Sequence, residues 1–123
     1  ICTNDEGLPI VILFSKSDCS HCEWVDETFD TVVMEYVKRG LIEAHHYDIK
    51  TKDDLLTPDI ETKIPLKHLK MRDQSGPGAP VPYFNFGCRY DRIGNGYESQ
   101  DDPIAEEMEM RNVIDTLLTE IEK

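Results

Sequence analysis

The chain has 123 residues and carries 25 acidic against 13 basic side chains, which gives a formal net charge of -12 at pH 7. This length fits a single domain, residues 1–123, with one hydrophobic core. The charge repels phosphate backbones and anionic lipid headgroups. The longest apolar run, Ile10 to Phe14, is too short to cross a bilayer. We therefore expect no nucleic acid partner and no membrane insertion.

The first half of the chain is predicted to form a strand, a helix and a second strand. Residues 10–14 are a continuous, β-branched apolar run, which is typical of a strand buried on both faces. Residues 19–39 place apolar side chains at three- and four-residue intervals, which predicts an amphipathic helix. Gly40 follows where a helix-ending glycine is expected. Residues 41–49 predict the second strand.

The second half begins with an insert at about residues 50–80. Pro58 and Pro65 exclude one long helix there and leave one or two short ones. Two strands are predicted to follow, over residues 82–86 and 88–93, joined by a tight turn.

A final amphipathic helix is predicted to begin at Asp102 and Pro103, an N-cap followed by proline in the first helical position. Its apolar residues are Ile104, Met108, Val113, Ile114, Leu117, Leu118 and Ile121. The order of the elements predicts an α/β fold in which helices flank both faces of a mixed four-stranded sheet.

The motif Cys19-Ser20-His21-Cys22 stands where the first predicted strand ends and the first helix begins. Two cysteines three positions apart on one helical turn are close enough to form a disulfide. The helix N-terminus stabilises a thiolate at Cys19. Lys16 and a protonatable His21 add positive charge nearby, and Asp18 and Glu23 act against it. Cys19 is therefore the candidate nucleophile, and Cys22 is the candidate resolving cysteine.

Two other interpretations of this cysteine pair stay open. A lone CxxC can be half of a structural zinc site, which Cys2, Cys88 or a histidine would have to complete from a distant part of the chain. The pair can also be a static structural disulfide. The position between a strand and a helix favours redox chemistry, so we predict no bound metal.

Two segments resemble the thioredoxin-like superfamily. Val11 to Cys22 (VILFSKSDCSHC) is similar to the start of a glutaredoxin, including Lys16 three residues before the first cysteine. Val81 to Phe86 (VPYFNF) resembles the strand that opens with Val-Pro in these proteins, and residues 94–96 (GNG) resemble the glycine pair that follows it. The resemblance covers the chain except residues 1–9 and about 50–78. It implies a thioredoxin-like fold, with the helical insert before the Val-Pro strand, and a thiol–disulfide oxidoreductase activity.

The resemblance also implies roles for single residues. Pro82 would be cis and pack against the active-site cysteines, and the backbone of Val81 would pair with an extended substrate. Ser20 and His21 resemble the pair between the cysteines of protein disulfide isomerase, where the histidine stabilises the thiolate. Thioredoxins carry a buried acid six residues before the first cysteine, and this chain has Leu13 there.

The substrates expected from this resemblance are protein or small-molecule thiols and disulfides, exchanged by a monomer without an organic cofactor. Glutathione is a candidate co-substrate whose carboxylate would meet Lys16, and Ser20 and Val81 are further candidate substrate contacts. The main alternative is a non-enzymatic thioredoxin-like interaction module with a static disulfide. A metal-binding domain is the other.

The remaining cysteines, Cys2 and Cys88, would lie close together in a thioredoxin-like fold. Residues 10–14 and 82–86 would be neighbouring strands, with both cysteines at the end remote from the active site. The resemblance thus implies a structural disulfide Cys2–Cys88, the alternative being a free thiol at Cys88. Such a disulfide favours an exported, periplasmic or extracytoplasmic protein over a cytoplasmic one. The chain opens without an initiator methionine, which fits either a processed mature form or a trimmed chain.

The histidines outside the motif are expected to have no functional role. His45 and His46 are adjacent on a predicted strand and point to opposite faces, which argues against joint metal binding. His68 stands between Lys67 and Lys70 in the insert and is expected to face solvent.

Overall fold

A computed structural model describes residues 1–122 and shows an α/β arrangement built on one mixed four-stranded sheet. The strands are β1 (Ile10–Ser15), β2 (Glu43–Asp48), β3 (Tyr83–Phe86) and β4 (Tyr90–Ile93). The helices are α1 (Ser20–Lys38), α2 (Leu66–Arg72) and α3 (Pro103–Ile121), with short 3₁₀ turns at Asp73–Ser75 and Glu98–Gln100. The predicted α/β class with a mixed four-stranded sheet is confirmed. None of the helices within residues 1–122 has both the length and the apolar character needed to cross a membrane.

The strand order across the sheet is β2-β1-β3-β4. β1 is parallel to β2, with Leu13 opposite His46, and antiparallel to β3, with Leu13 opposite Phe84. β1 is buried along its whole length, which explains its uninterrupted apolar sequence. The connection from β1 through α1 to β2 places the start of α1 just beyond the carboxyl end of β1.

Each face of the sheet has its own hydrophobic core. α1 and α3 cover a core that includes Val11, Leu13 and Phe29. α2 and the end of the insert cover a second core that includes Ile12 and Phe14. Because side chains alternate along a strand, β1 supplies both cores in turn.

The helix ends follow the sequence signals. The carboxylate of Asp102 accepts a hydrogen bond from the backbone N–H of Ala105 at 3.0 Å, so Asp102 caps α3. Gly40 adopts a φ of 71° just after α1, and its N–H donates to the carbonyl of Val37 at 2.9 Å. Only glycine enters this left-handed region without strain.

The hairpin strands begin later than predicted, at Tyr83 and Tyr90. Gly87 and Cys88 both have positive φ, 63° and 62°. The turn they form takes Cys88 out of the extended region, so the ladder starts beyond it.

The insert contains one short α-helix, within the predicted one or two. Residues 50–65 form no helix in the part of the chain that the structure describes. Side-chain oxygens there accept hydrogen bonds from backbone N–H groups instead. Asp54 accepts from Leu56 at 3.1 Å, and Asp53 accepts from Glu61 at 2.9 Å. Such bonds compete with helix formation.

The expectation that His68 faces solvent is wrong. Its side chain is only 2% exposed, because α2 turns it towards β2. There its Nδ1 lies 2.7 Å from the hydroxyl oxygen of Tyr47.

The first turns of α3 do not bury the apolar residues that the sequence pattern predicts to face the core. Ile104 and Met108 are exposed, whereas Glu106 is fully buried and pairs with Arg92 of β4. Glu106 lies on the same side of α3 as the buried Met110, Ile114 and Leu117, so in the first turns an acidic residue takes the core-facing position.

Candidate functional site

The CxxC motif lies at the N-terminus of α1, with Cys19 as the N-cap residue. In the structure Cys19 and Cys22 form a disulfide, and their Cα atoms are 5.2 Å apart. The backbone N–H of Cys22 donates a hydrogen bond to the Sγ of Cys19 at 3.2 Å. The same N–H group and the helix dipole would stabilise a negative charge on Cys19 after reduction.

The two cysteines differ in exposure. Cys22 is fully buried, while Cys19 is half-buried. Of the two sulfurs, a partner molecule can therefore reach the one on Cys19. This asymmetry fits a nucleophile at Cys19 and a resolving thiol at Cys22.

A groove of about 420 Å³ lies beside the motif. Its lining residues come from three segments and are His21, Val81, Pro82, Gly94, Asn95, Glu98 and Ser99. The carbonyl oxygen of Val81 lies 4.0 Å from the Sγ of Cys19, and the Val81–Pro82 peptide bond is cis, as the resemblance implies. The structure thus brings the Val-Pro segment and the Gly-Asn-Gly turn next to the CxxC motif.

The ring of His21 spans one side of this groove. Its Nδ1 lies 2.8 Å from a carboxylate oxygen of Glu98. The amide of Asn95 donates to the same carboxylate at 2.8 Å and to the backbone carbonyl of His21 at 2.9 Å. Hydrogen bonds from Asn95 and from His21 lower the pKa of Glu98. Sequence reasoning missed Asn95 and Glu98, since only the fold carries them to the motif.

Lys16 precedes the motif and Ser20 lies within it, and neither residue belongs to the groove lining described above. The Nζ of Lys16 lies 3.9 Å from the carboxylate of Asp18, which also pairs with Lys50 at 3.4 Å. The hydrogen bond and charge of Lys50 lower the pKa of Asp18. Asp18 therefore stays ionised and offsets part of the positive charge near Cys19. Ser20 is the exposed first residue of α1.

An ionisable pair lies one helical turn beyond Cys22. A carboxylate oxygen of Asp26, four residues further along α1, is 3.2 Å from the Nε2 of His46, and Asp30 is 2.7 Å from the Nδ1. Burial lowers the pKa of His46, but the neighbouring carboxylates of Asp26 and Asp30 outweigh it and raise that pKa to about 9. The sequence contains no signal for this pair because the two elements meet only in the folded chain.

The other two cysteines, Cys2 and Cys88, form a disulfide with their Cα atoms 5.4 Å apart. The backbone N–H of Cys2 donates to Gly87 at 2.8 Å, and its carbonyl accepts from Ile10 at 3.1 Å. This pairing, which the resemblance implies, fastens the start of the chain to the β3–β4 turn. It lies at the opposite end of β1 from the CxxC motif.

Comparisons of the chain with protein-family models, with curated protein sequences and with solved structures found no match. The chemistry of the site therefore has to be inferred from its own residues and geometry.

Proposed function

We propose that the chain is a thioredoxin-like thiol–disulfide oxidoreductase that exchanges disulfides through Cys19 and Cys22. The observation that carries this proposal is the disulfide at the start of α1, in which one sulfur caps the helix and the other is fully buried. The Val81–Pro82 segment beside Cys19 and the mixed sheet support the same proposal.

In the reduced protein, Cys19 is the thiolate that attacks a substrate disulfide. The attacked bond breaks, one substrate sulfur leaves as a thiolate, and the other stays bound to Cys19 as a mixed disulfide. The Cys22 thiolate then attacks the Cys19 sulfur and releases the second substrate thiolate. The substrate disulfide gains two electrons, which the Cys19 and Cys22 thiolates lose as they form the Cys19–Cys22 disulfide. The reverse sequence oxidises a substrate dithiol.

The resolving step needs a proton acceptor near Cys22. Because Cys22 is fully buried, its thiol proton has to pass to a protein group before it reaches water. Asp26 lies one turn further along the same helix, where residues four apart are neighbours, and we place it in this role with His46 as its partner.

The groove provides the substrate contacts. The backbone of Val81 is available to pair with an extended segment of a protein substrate. The ionised Glu98 carboxylate on the groove wall disfavours negative charge next to the attacked disulfide. A carboxylate of glutathione would instead meet Lys16, outside the groove lining.

The test is to trap the mixed disulfide. The variant Cys22→Ser, reduced at Cys19 and mixed with glutathione disulfide or a disulfide peptide, should form a stable adduct that mass spectrometry maps to Cys19. The matched variant Cys19→Ser should form no adduct at Cys22, because that residue is buried. A Cys19–Cys22 pair that dithiothreitol cannot reduce in the folded protein would contradict the proposal and leave a static interaction module.

The direction of the reaction is a separate measurement. Stabilisation of the Cys19 thiolate favours the reduced form and makes the disulfide more oxidising. A potential of about -120 to -180 mV in glutathione buffers would identify an oxidant or isomerase, and one near about -270 mV a reductase.

A further inference from the structure

A second cluster of chemically active side chains lies on the face of the sheet opposite α1. Glu43 and His45 are two positions apart on β2, so both side chains point to this face. His68 of α2 packs against them. One ligand-type atom from each of the three residues lies within 4.8 Å of the others. The rings of His45 and His68 have their centroids 4.5 Å apart.

Each of the three side chains is held in place from its other side. The Nδ1 of His45 is 2.7 Å from a carboxylate oxygen of Asp54, and the Nδ1 of His68 is 2.7 Å from the hydroxyl oxygen of Tyr47. The second oxygen of Glu43 accepts a hydrogen bond from Asn4 at 3.0 Å. Metal-binding histidines have this arrangement, because a partner on one ring nitrogen directs the other nitrogen at the metal.

One atom of the cluster is left without a hydrogen-bond partner. The Nε2 of His68 is buried, and the Glu43 carboxylate lies 3.8 Å from it, too far for a hydrogen bond. A charged His45 between Glu43 and Asp54 would satisfy the hydrogen-bonding groups of these three residues, but it would leave the Nε2 of His68 without a partner. Buried polar atoms without a partner are uncommon and call for an explanation.

We propose that Glu43, His45 and His68 bind a divalent transition-metal ion of the zinc class through Oε2, Nε2 and Nε2. Two imidazoles and a carboxylate are donors that zinc accepts, and three protein ligands leave a fourth position for water. Glu43 and His45 are partly exposed, so this position opens to solvent. The charges of Glu43 and Asp54 balance those of a divalent ion.

The two distances from the Glu43 carboxylate require only small adjustments. Ligand atoms around a tetrahedral zinc ion lie about 3.3 Å apart when each bond is about 2.0–2.1 Å. The Glu43 oxygen is now 2.7 Å from the His45 Nε2 and 3.8 Å from the His68 Nε2. Shifts of about half an ångström, which side-chain rotations supply, bring both distances to the required value.

The experiment uses the metal-free protein with both disulfides closed, so that sulfur cannot bind the ion. Cobalt(II) is titrated as a spectroscopic probe, and zinc is then added as a competitor. We expect one ion per chain, visible cobalt bands typical of four or five nitrogen and oxygen ligands, and their loss when zinc displaces cobalt. Because the cysteines stay oxidised, the outcome does not depend on the proposed thiol exchange.

Variants locate the ion. His68→Gln and Glu43→Gln should abolish stoichiometric binding, and Asp54→Asn should weaken it about 10–100-fold because it supports a ligand without touching the ion. The matched control is His46→Gln, since His46 is a buried histidine on the same strand that faces α1. It should leave the affinity unchanged. Should His68→Gln not fold, the partly exposed Glu43→Gln carries the test.

Three results would overturn the proposal. They are binding below one ion per chain, binding that Glu43→Gln leaves intact, and a cobalt–thiolate charge-transfer band in the oxidised protein.

Discussion

The two disulfides join Cα atoms at nearly the same distance, 5.4 and 5.2 Å, but they differ in everything around the bond. Cys2–Cys88 links residues 86 positions apart and fastens the chain's start to a turn. Cys19–Cys22 links residues three positions apart at a helix N-terminus beside a groove. We expect the length of the closed loop and the local electrostatics, rather than the Cα distance, to separate a structural disulfide from a reactive one.

The largest expected difference is in stability. Replacing Cys2 and Cys88 by serine should lower the free energy of unfolding by about 4.5 kcal/mol, because a long loop is released in the unfolded chain. The double variant Cys19→Ser/Cys22→Ser should lose under about 2 kcal/mol, since its loop is short. Urea unfolding of both variants checks this, and equal losses would contradict the loop argument.

The next difference concerns proton transfer at the resolving cysteine. Asp26→Asn should slow the attack of Cys22 on a mixed disulfide at Cys19 about 100-fold, the contribution typical of a positioned base. Stopped-flow release of a thiol from the preformed adduct measures this step. Asp30→Asn is the control, because Asp30 contacts the other nitrogen of His46; an equal effect of both variants would point to His46 alone.

A third difference is in ease of reduction. Cys19–Cys22 should have a reduction potential at least about 30 mV above that of Cys2–Cys88, because structural disulfides lie below about -300 mV. Stepwise equilibration with dithiothreitol, alkylation and mass mapping will show which bond opens first. Reduction of Cys2–Cys88 first would remove the distinction.

The smallest expected effect belongs to His21. His21→Ala should raise the pKa of the Cys19 thiol and make the disulfide less oxidising, because the substitution removes a ring that can place positive charge near the thiolate when it is protonated. The change should be small, since the ring is largely exposed and its charge is screened by water. The pH dependence of Cys19 alkylation measures it, and a fall in the pKa would show that the Glu98 carboxylate dominates the site.

Much of the fold was predictable because its signals are local. The apolar run of β1, the spacing in α1 and the Asp102-Pro103 cap each state a backbone preference within a few residues. The first turns of α3 were misjudged because Glu106 is buried by its pairing with Arg92, which is distant in sequence. An argument from apolar periodicity places acidic residues such as Glu106 on the surface, because it takes no account of a buried ion pair.

The candidate site was predictable to a similar extent. Cys19 and Cys22 stand out because residues three positions apart on a helix lie next to each other on one face. Glu98 and His46 carry no such spacing, and they reach the motif through the folding of α1 against β2 and of the loop after β4. Asp26 has a helical spacing from Cys22, but only its contact with His46 distinguishes it from the other acidic residues of α1.

The sequence alone determined that the chain has an α/β order of elements and a cysteine pair at a helix start, since both follow from short-range periodicity and spacing. Only the tertiary structure decided what surrounds the histidines. It buries His68 against β2 instead of exposing it, and it brings carboxylates to His45 and His46, whose opposite orientations the strand pattern already predicts. The physical reason is that burial and hydrogen bonding of a polar side chain depend on elements distant in sequence, whose packing no local pattern specifies.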